Sequence, residues 1–249
     1  MQKLNPKCDY KAYIIDWDEE KFDIKGISFE PVDQSHPTYI KYKSNPDLLR
    51  WTHKPILLSA LVEHYERVIY IDPDIYFVHS WDFLLSDIDG VLLTKHHRSL
   101  IPDTGEYKCL FTDGFFNAGF IGASRKGKEA LLWWQSVIHW KCEKNYAQGL
   151  FDDQKYLDVM ALEFNDTVKI CKQLGCNLAN WNKDTIKTYR LNRRWYVEKD
   201  DSPVIFLHIT QKGKSESVSA LDYYKERYHR RVFKISQVFQ QAFPRGFFL

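Results

Sequence analysis

The stretch 68-VIYIDPDIYFV-78 decides how this chain is read. Its first four residues, Val, Ile, Tyr and Ile, favour extended backbone and read as a buried strand. That strand stops at two carboxylates, Asp72 and Asp74, set on either side of Pro73. Proline fixes its own φ, removes a backbone donor and holds the residue before it extended, so the strand must end in a defined turn. In a regular strand, acids at i and i+2 share a face; after a turn both can converge on one point. Two convergent carboxylates repel each other by roughly a few kcal/mol when partly dry, unless a cation neutralises them. Oxygen ligands of this kind suit Mg²⁺ or Mn²⁺. In open α/β sheets ligands collect at the carboxyl ends of strands, which is where Asp72 stands. The plain alternative is an Asp-Pro-Asp turn that caps a loop in solvent.

Working outward, KAYIID (11–16) reads as a strand ending in an acid and ISFEPV (27–32) as a weaker one. NPDLLRWTHKPILLSALVEHY (45–65) carries apolar residues at helical spacing, and Pro55 is expected to kink that helix or start a new one. GVLLT (90–94) and FNAGFIGAS (116–124) follow as strands, the small residues of the second implying close backbone approach. KGKEALLWWQSVIHW (126–140) and DDQKYLDVMALEF (152–164) read as helices. Short strands are expected around 168–171, 187–191 and 203–208, then a basic, aromatic helix over 217–243. This alternation predicts an α/β sheet, with antiparallel strands in the second half, where connections are too short for crossover helices. With no repeat and no Gly/Ser linker, a single domain is the default.

Composition narrows the function classes. A hydrophobic fraction of 44% can offset the chain entropy that keeps polar sequences unfolded, so the chain is globular. Lys plus Arg (35) nearly balance Asp plus Glu (33), which gives no reason to expect nucleic acid as a partner. The five cysteines show no CxxC pair and no metal-ligand spacing, so they read as small core residues of a reducing compartment. The first twenty residues lack the apolar region of a signal peptide, and no run of eighteen apolar residues occurs. The expected location is the cytoplasm, either free or peripheral at the inner face of the membrane.

Five blocks together carry a family resemblance: KPILLSALVEHYERVIYIDPDIYF (54–77), TDGFFNAGF (112–120), GLFDDQ (149–154), NLANWN (177–182) and LHITQKGK (207–214). In this order they resemble bacterial, DxD-containing, metal-dependent glycosyltransferases of the GT-A fold, most closely the retaining galactosyltransferase and glycogenin types. The resemblance implies a mixed sheet flanked by helices as one catalytic domain over 1–215, followed by a basic, aromatic tail over 216–249. It implies Mn²⁺ or Mg²⁺ at Asp72 and Asp74, completed by His208, bridging the diphosphate of a UDP- or GDP-sugar donor. A lysine after that histidine contacts the diphosphate in such enzymes. Gln211 stands where the usual glycine would be, which leaves Lys212 and Lys214 both open. Asn117, Ala118 and Gly119 correspond to the donor-sugar wall, and Asp153 and Gln154 to residues beside the anomeric carbon. Lys54 occupies a basic position aimed at the donor, and Asp113 stands within reach of donor or acceptor.

These residues have structural readings too. Either Asp152 or Asp153 is expected to cap the helix that begins there, with Asp153, paired with Gln154, taken for the site. Asn177, Asn180 and Asn182 read as turn residues, and Trp133 and Trp134 as core. Against the resemblance, KLNPKCDYKAYIID matches the end of the family's first helix and its second strand. The family's first strand-helix unit is therefore expected to be absent, so that either the chain is truncated or the base is held by the remaining loops, with Asp16 at the end of its strand as a contact. The implied activity is hexosyl transfer to a hydroxyl acceptor, a surface glycan or lipid-linked oligosaccharide, with retention of configuration. The tail helix offers a basic face to an anionic membrane where such acceptors reside. The alternatives are a catalytically impaired sugar-nucleotide-binding remnant and a haloacid dehalogenase-type phosphatase, whose DxD also follows an apolar strand. Oligomeric state has no signal in the sequence.

Overall fold

A computed structural model describes residues 8–15, 24–102, 104–209, Ala220 and Tyr224. Along the chain run β1 (Lys11–Ile14), β2 (Ser28–Pro31), α1 (Pro37–Tyr42), α2 (Pro46–Leu61), β3 (Val68–Ile71), β4 (Ile75–Phe77), α3 (Phe83–Asp87) and β5 (Val91–Lys95). Then come α4 (Gly105–Thr112), β6 (Phe116–Ala123), α5 (Lys128–Trp140), β7 (Lys144–Asn145), β8 (Leu150–Phe151) and α6 (Tyr156–Glu163). The last are β9 (Val168–Ile170), β10 (Thr188–Leu191), β11 (Arg194–Val197) and β12 (Phe206–His208).

The architecture is a mixed sheet flanked by helices. The central sheet has the order β3-β6-β5-β9, with β6 antiparallel to both neighbours and β5 parallel to β9. β4 and β12 form an antiparallel ribbon, β10 and β11 another, and β1 and β2 a parallel pair. Antiparallel pairing is therefore not confined to the second half of the chain. It begins at β3, because β6 threads between β3 and β5.

β6 is buried along its whole length, which fits its small residues: a Cβ on Gly122 would stand 2.7 Å from the Ile88 side chain. One face of the central sheet packs on α2, α5 and α6 through Leu58, Leu93, Ile121, Leu131, Trp134 and Met160. Burying side chains of this size stabilises by about 1.5–3 kcal/mol each. On another cluster, Phe120 stacks on Phe206 with centroids 4.8 Å apart, tying the central sheet to the β4/β12 ribbon.

Two local expectations are corrected. No new helix starts at Pro55: α2 continues through it with the proline buried, because Leu49, Leu58 and Val62 are all committed to the core that α5 shares. That packing outweighs the lost backbone bond. α6 starts only at Tyr156, after a turn in which Asp152 has a φ of +54°, and neither Asp152 nor Asp153 caps it. Both acids are instead held by lysines.

All five cysteines are free thiols; Cys142, Cys171 and Cys176 are buried core residues, whereas Cys8 and Cys109 are only half-buried and so depart from the core reading. Ala220 is buried, its N–H donating to Thr188 Oγ1 at 3.2 Å, and the Tyr224 ring lies 5.5 Å from that of Tyr76. The remainder of the tail, with its expected membrane contact, lies outside the described residues, as do Asp16, Lys212 and Lys214. Among the described residues no helix is long and apolar enough to cross a membrane.

Candidate functional site

Three strand ends meet at one point. β3 ends at Asp72, whose N–H donates to Gly119 O on β6 at 2.7 Å. Pro73 and Asp74 then make a tight turn closed by Ile75 N–H to Asp72 O at 3.1 Å, with proline at the turn position that its fixed φ suits. The turn feeds β4, which pairs with β12 so that Ile75 stands opposite His208. Ligand atoms of Asp72, Asp74 and His208 all lie within 4.8 Å of one another, and His208 Nε2 is 3.0 Å from Asp74 Oδ1. Two carboxylates and one imidazole form a donor set that suits Mn²⁺, and Mg²⁺ less closely because of the nitrogen.

Asp72 and His208 each have one atom already engaged by the protein outside the cluster. The Tyr70 hydroxyl donates to Asp72 Oδ1 at 2.7 Å, and Lys54 Nζ lies 3.5 Å from the same oxygen. Asp72 Oδ2 is left to face the cluster, close enough to Gly119 that a Cβ there would sit 2.9 Å away. His208 Nδ1 lies 3.2 Å from Asn117 Oδ1 and 3.3 Å from Asn177 Oδ1. The Trp181 ring packs edge-on against His208, with centroids 5.1 Å apart.

Beside the cluster stands a second set of sequence candidates. Lys54, 4% exposed, reaches from α2 to ion-pair with Asp153 Oδ2 at 3.1 Å and to donate to Ala118 O at 3.3 Å, so its charge lies between Asp72 and Asp153. Burial alone would lower the Lys54 pKa, but the carboxylates of Asp153 and Asp72 outweigh it and hold the ammonium well above its ordinary value. Burial pushes Asp153 up, with Lys54 pulling against it. Burial likewise carries the Tyr70 phenol well above its usual range, which keeps it a donor to Asp72.

Gln154 is fully engaged. Its Oε1 accepts from Asn117 Nδ2 at 3.2 Å and from Ala118 N–H at 3.3 Å, while Nε2 donates to Asp113 O at 2.9 Å. It braces the 117–119 wall rather than offering a free oxygen. Asp113 also differs from expectation: its carboxylate is taken by Arg98 Nη2 at 2.6 Å, with both side chains largely buried, so only its backbone carbonyl reaches the site residues. Asn177 and Asn182 are wholly buried, and Asn182 Nδ2 donates to His96 O at 2.7 Å and Asn177 O at 2.9 Å.

Sequence reasoning missed four of these partners. Tyr70 was within reach of it, since residues i and i−2 of a strand share a face. Trp134, taken only as core, donates Nε1–H to Asp153 O at 2.8 Å and so fixes the backbone of that acid. His96, with Nδ1 2.9 Å from Gly114 O and burial and then Arg98 lowering its pKa to about 3, is a neutral acceptor for the Asn117 amide. Asn177 meets His208 from a loop 31 residues away, and no local pattern announces that contact.

No family model matches the chain. It is 26% identical over 229 residues to the uncharacterized protein YfnD of Bacillus subtilis (strain 168), a match that covers 84% of this chain and 71% of that protein. Among solved structures it is similar to mouse xyloside xylosyltransferase 1 in its apo form, at 12% identity and a TM-score of 0.40, over 73% of this chain and 74% of that one. It is also similar to a glycosyltransferase involved in the glycosylation of the major capsid of PBCV-1, at 12% identity and a TM-score of 0.44, over 81% and 84% of the two chains.

Proposed function

We propose that the chain transfers a sugar from a nucleoside-diphosphate sugar to a hydroxyl acceptor with the help of Mn²⁺ or Mg²⁺, retaining configuration at the anomeric carbon. The observation that carries this reading is the Asp72, Asp74 and His208 cluster, joined through Lys54 to Asp153 and the 117–119 wall. The ordered motif blocks of the sequence support it independently.

In this reading Asp72, Asp74 and His208 would hold the divalent ion, which would supply Lewis-acid neutralisation of the departing diphosphate. Tyr70 and Lys54 engage one oxygen of Asp72 and hold the carboxylate turned so that the other faces outward. Asp153 presents its carboxylate to the donor sugar, where negative charge favours the oxocarbenium-like transition state. Gln154 and Asn117 hold the wall against which the sugar rests, and Lys212 or Lys214 adds a point charge at the diphosphate. No side chain in the cluster is a free nucleophile, which favours front-face substitution. The C1–O bond to phosphate breaks, the acceptor oxygen bonds C1 on the same face, and the acceptor proton passes to the leaving phosphate oxygen.

The domain over 1–215, a lipid-linked or glycan acceptor, and membrane contact through the 216–249 tail belong to the same proposal. The test is a panel of UDP- and GDP-sugars assayed for nucleoside diphosphate release with Mn²⁺ present or chelated. Metal-dependent release from at least one donor is expected. Tight donor binding without release from any would replace transfer with the binding-only reading, and a fluoride-type phosphoenzyme mimic trapped on Asp72 would replace it with the phosphatase.

A further inference from the structure

The two amide oxygens on His208 Nδ1 constrain where the ring can carry its proton. Asn177 Nδ2 donates to Lys95 O at 2.9 Å, which fixes the amide so that Oδ1 is the atom 3.3 Å from His208. Asn117 is fixed likewise, since its Oδ1 accepts from Gly119 N–H at 2.9 Å and its Nδ2 donates to Gln154. Carbonyl oxygens only accept, so Nδ1 must carry a hydrogen shared between them. In the neutral ring Nε2 then bears the lone pair, and Nε2 is the atom 3.0 Å from Asp74 Oδ1. A lone pair facing a carboxylate at that distance is repulsive without a cation between them.

Asn117 already spends its oxygen on Gly119, whereas the Oδ1 of Asn177 has His208 as its partner. Asn177 also has a left-handed backbone, with a φ of +63°, a conformation that asparagine tolerates and most residues do not. Asn182 Nδ2 donates to its carbonyl, so the loop holds it from both sides.

We propose that Asn177 is a positioning residue: through Nδ1–H it sets the tautomer and angle of the His208 ring so that Nε2 is presented to the metal. This rests on the metal reading of the cluster. Two variants separate positioning from mere loop structure. Asn177→Gly keeps the left-handed backbone but removes the acceptor, and Asn177→Asp keeps an acceptor but loses the bond to Lys95 O. If Asn177 only braced the loop, both variants would behave alike.

The experiment is ¹⁵N NMR of the His208 ring in the metal-free protein, in alkaline buffer, together with titration of Mn²⁺. In wild type and Asn177→Asp, Nε2 is expected as the unprotonated nitrogen, with Mn²⁺ affinities within about threefold of each other. Asn177→Gly is expected to show mixed tautomers and to bind Mn²⁺ about 10–100-fold more weakly. Unchanged tautomer and affinity in Asn177→Gly would overturn the proposal, as would a wild-type ring protonated on Nε2 alone. A wild type that binds no Mn²⁺ would remove the metal reading, and the NMR comparison would then decide the role of Asn177 by itself.

Discussion

A methyl group at position 119 has nowhere to go. It would meet His208 Cε1 at 2.7 Å, Asn117 Oδ1 at 2.8 Å and Asp72 Oδ2 at 2.9 Å, so alanine there must push the cluster apart. Gly119→Ala should therefore weaken Mn²⁺ binding and destabilise the fold by about 1–3 kcal/mol, read by metal titration and thermal unfolding. Tyr70→Phe is a gentler probe. It removes only the hydroxyl on Asp72 Oδ1, and Mn²⁺ affinity should fall by about tenfold or more while the melting temperature moves little. An unchanged affinity would show that Lys54 alone orients the carboxylate. At this scale, the acids of 72–74 were legible because Pro73 punctuates the strand beside them. The partners around the site were less so: Tyr70, which holds Asp72, follows from strand alternation, but Asn117 and Asn177 on His208 and Trp134 on the Asp153 backbone act through tertiary contacts that no spacing encodes.

Among elements, the turn before α6 departs most from its sequence reading. DDQKYLDVMALEF looked like one helix with an acidic cap, yet Asp152 takes a left-handed backbone and pairs with Lys144 at 3.3 Å, while Asp153 pairs with Lys54. Helical periodicity cannot register two lysines arriving from β7 and α2. Burial, opposed by Lys144, raises Asp152 to about 6 from an ordinary value of 3.8. Between those values the folded state keeps a proton that the unfolded chain has released, so this group's contribution to stability is full below about pH 4 and declines as pH rises through 6. An asparagine side chain cannot ionise and tolerates the same backbone, so Asp152→Asn should gain on wild type from about pH 4 to 7. After allowance for solvent screening the gain is about 1 kcal/mol. Denaturant melts at the two pH values would show it, and parallel wild-type and variant profiles would contradict it. Pro55 teaches the same lesson in reverse, since a residue that breaks isolated helices sits inside α2 because the core on either side holds the helix together.

For the whole molecule, strand and helix alternation predicted an α/β sheet, but not that β6 would run antiparallel between β3 and β5. That order depends on which buried strands can pair, and a sequence of short apolar runs leaves it open. It is nevertheless the pairing that sets residues 72–74 beside 117–119, with the β4/β12 ribbon bringing His208, α2 supplying Lys54 and the turn before α6 supplying Asp153. A ligand that binds only this assembled arrangement must stabilise the entire fold. Mn²⁺ at about a hundred times its dissociation constant should add about 2.7 kcal/mol, reversed by chelation and absent in Asp74→Asn. Lys54→Ala should act in the opposite sense, leaving Asp72 and Asp153 without their shared cation at a cost of about 3–5 kcal/mol, seen as a lowered melting temperature. The most direct measurement is anomalous diffraction from crystals grown with Mn²⁺ and a nucleoside diphosphate. One manganese peak is predicted at about 2 Å from oxygens of Asp72 and Asp74 and from His208 Nε2, with the diphosphate on its open side. A peak elsewhere, or a diphosphate bound away from these three residues, would contradict the account.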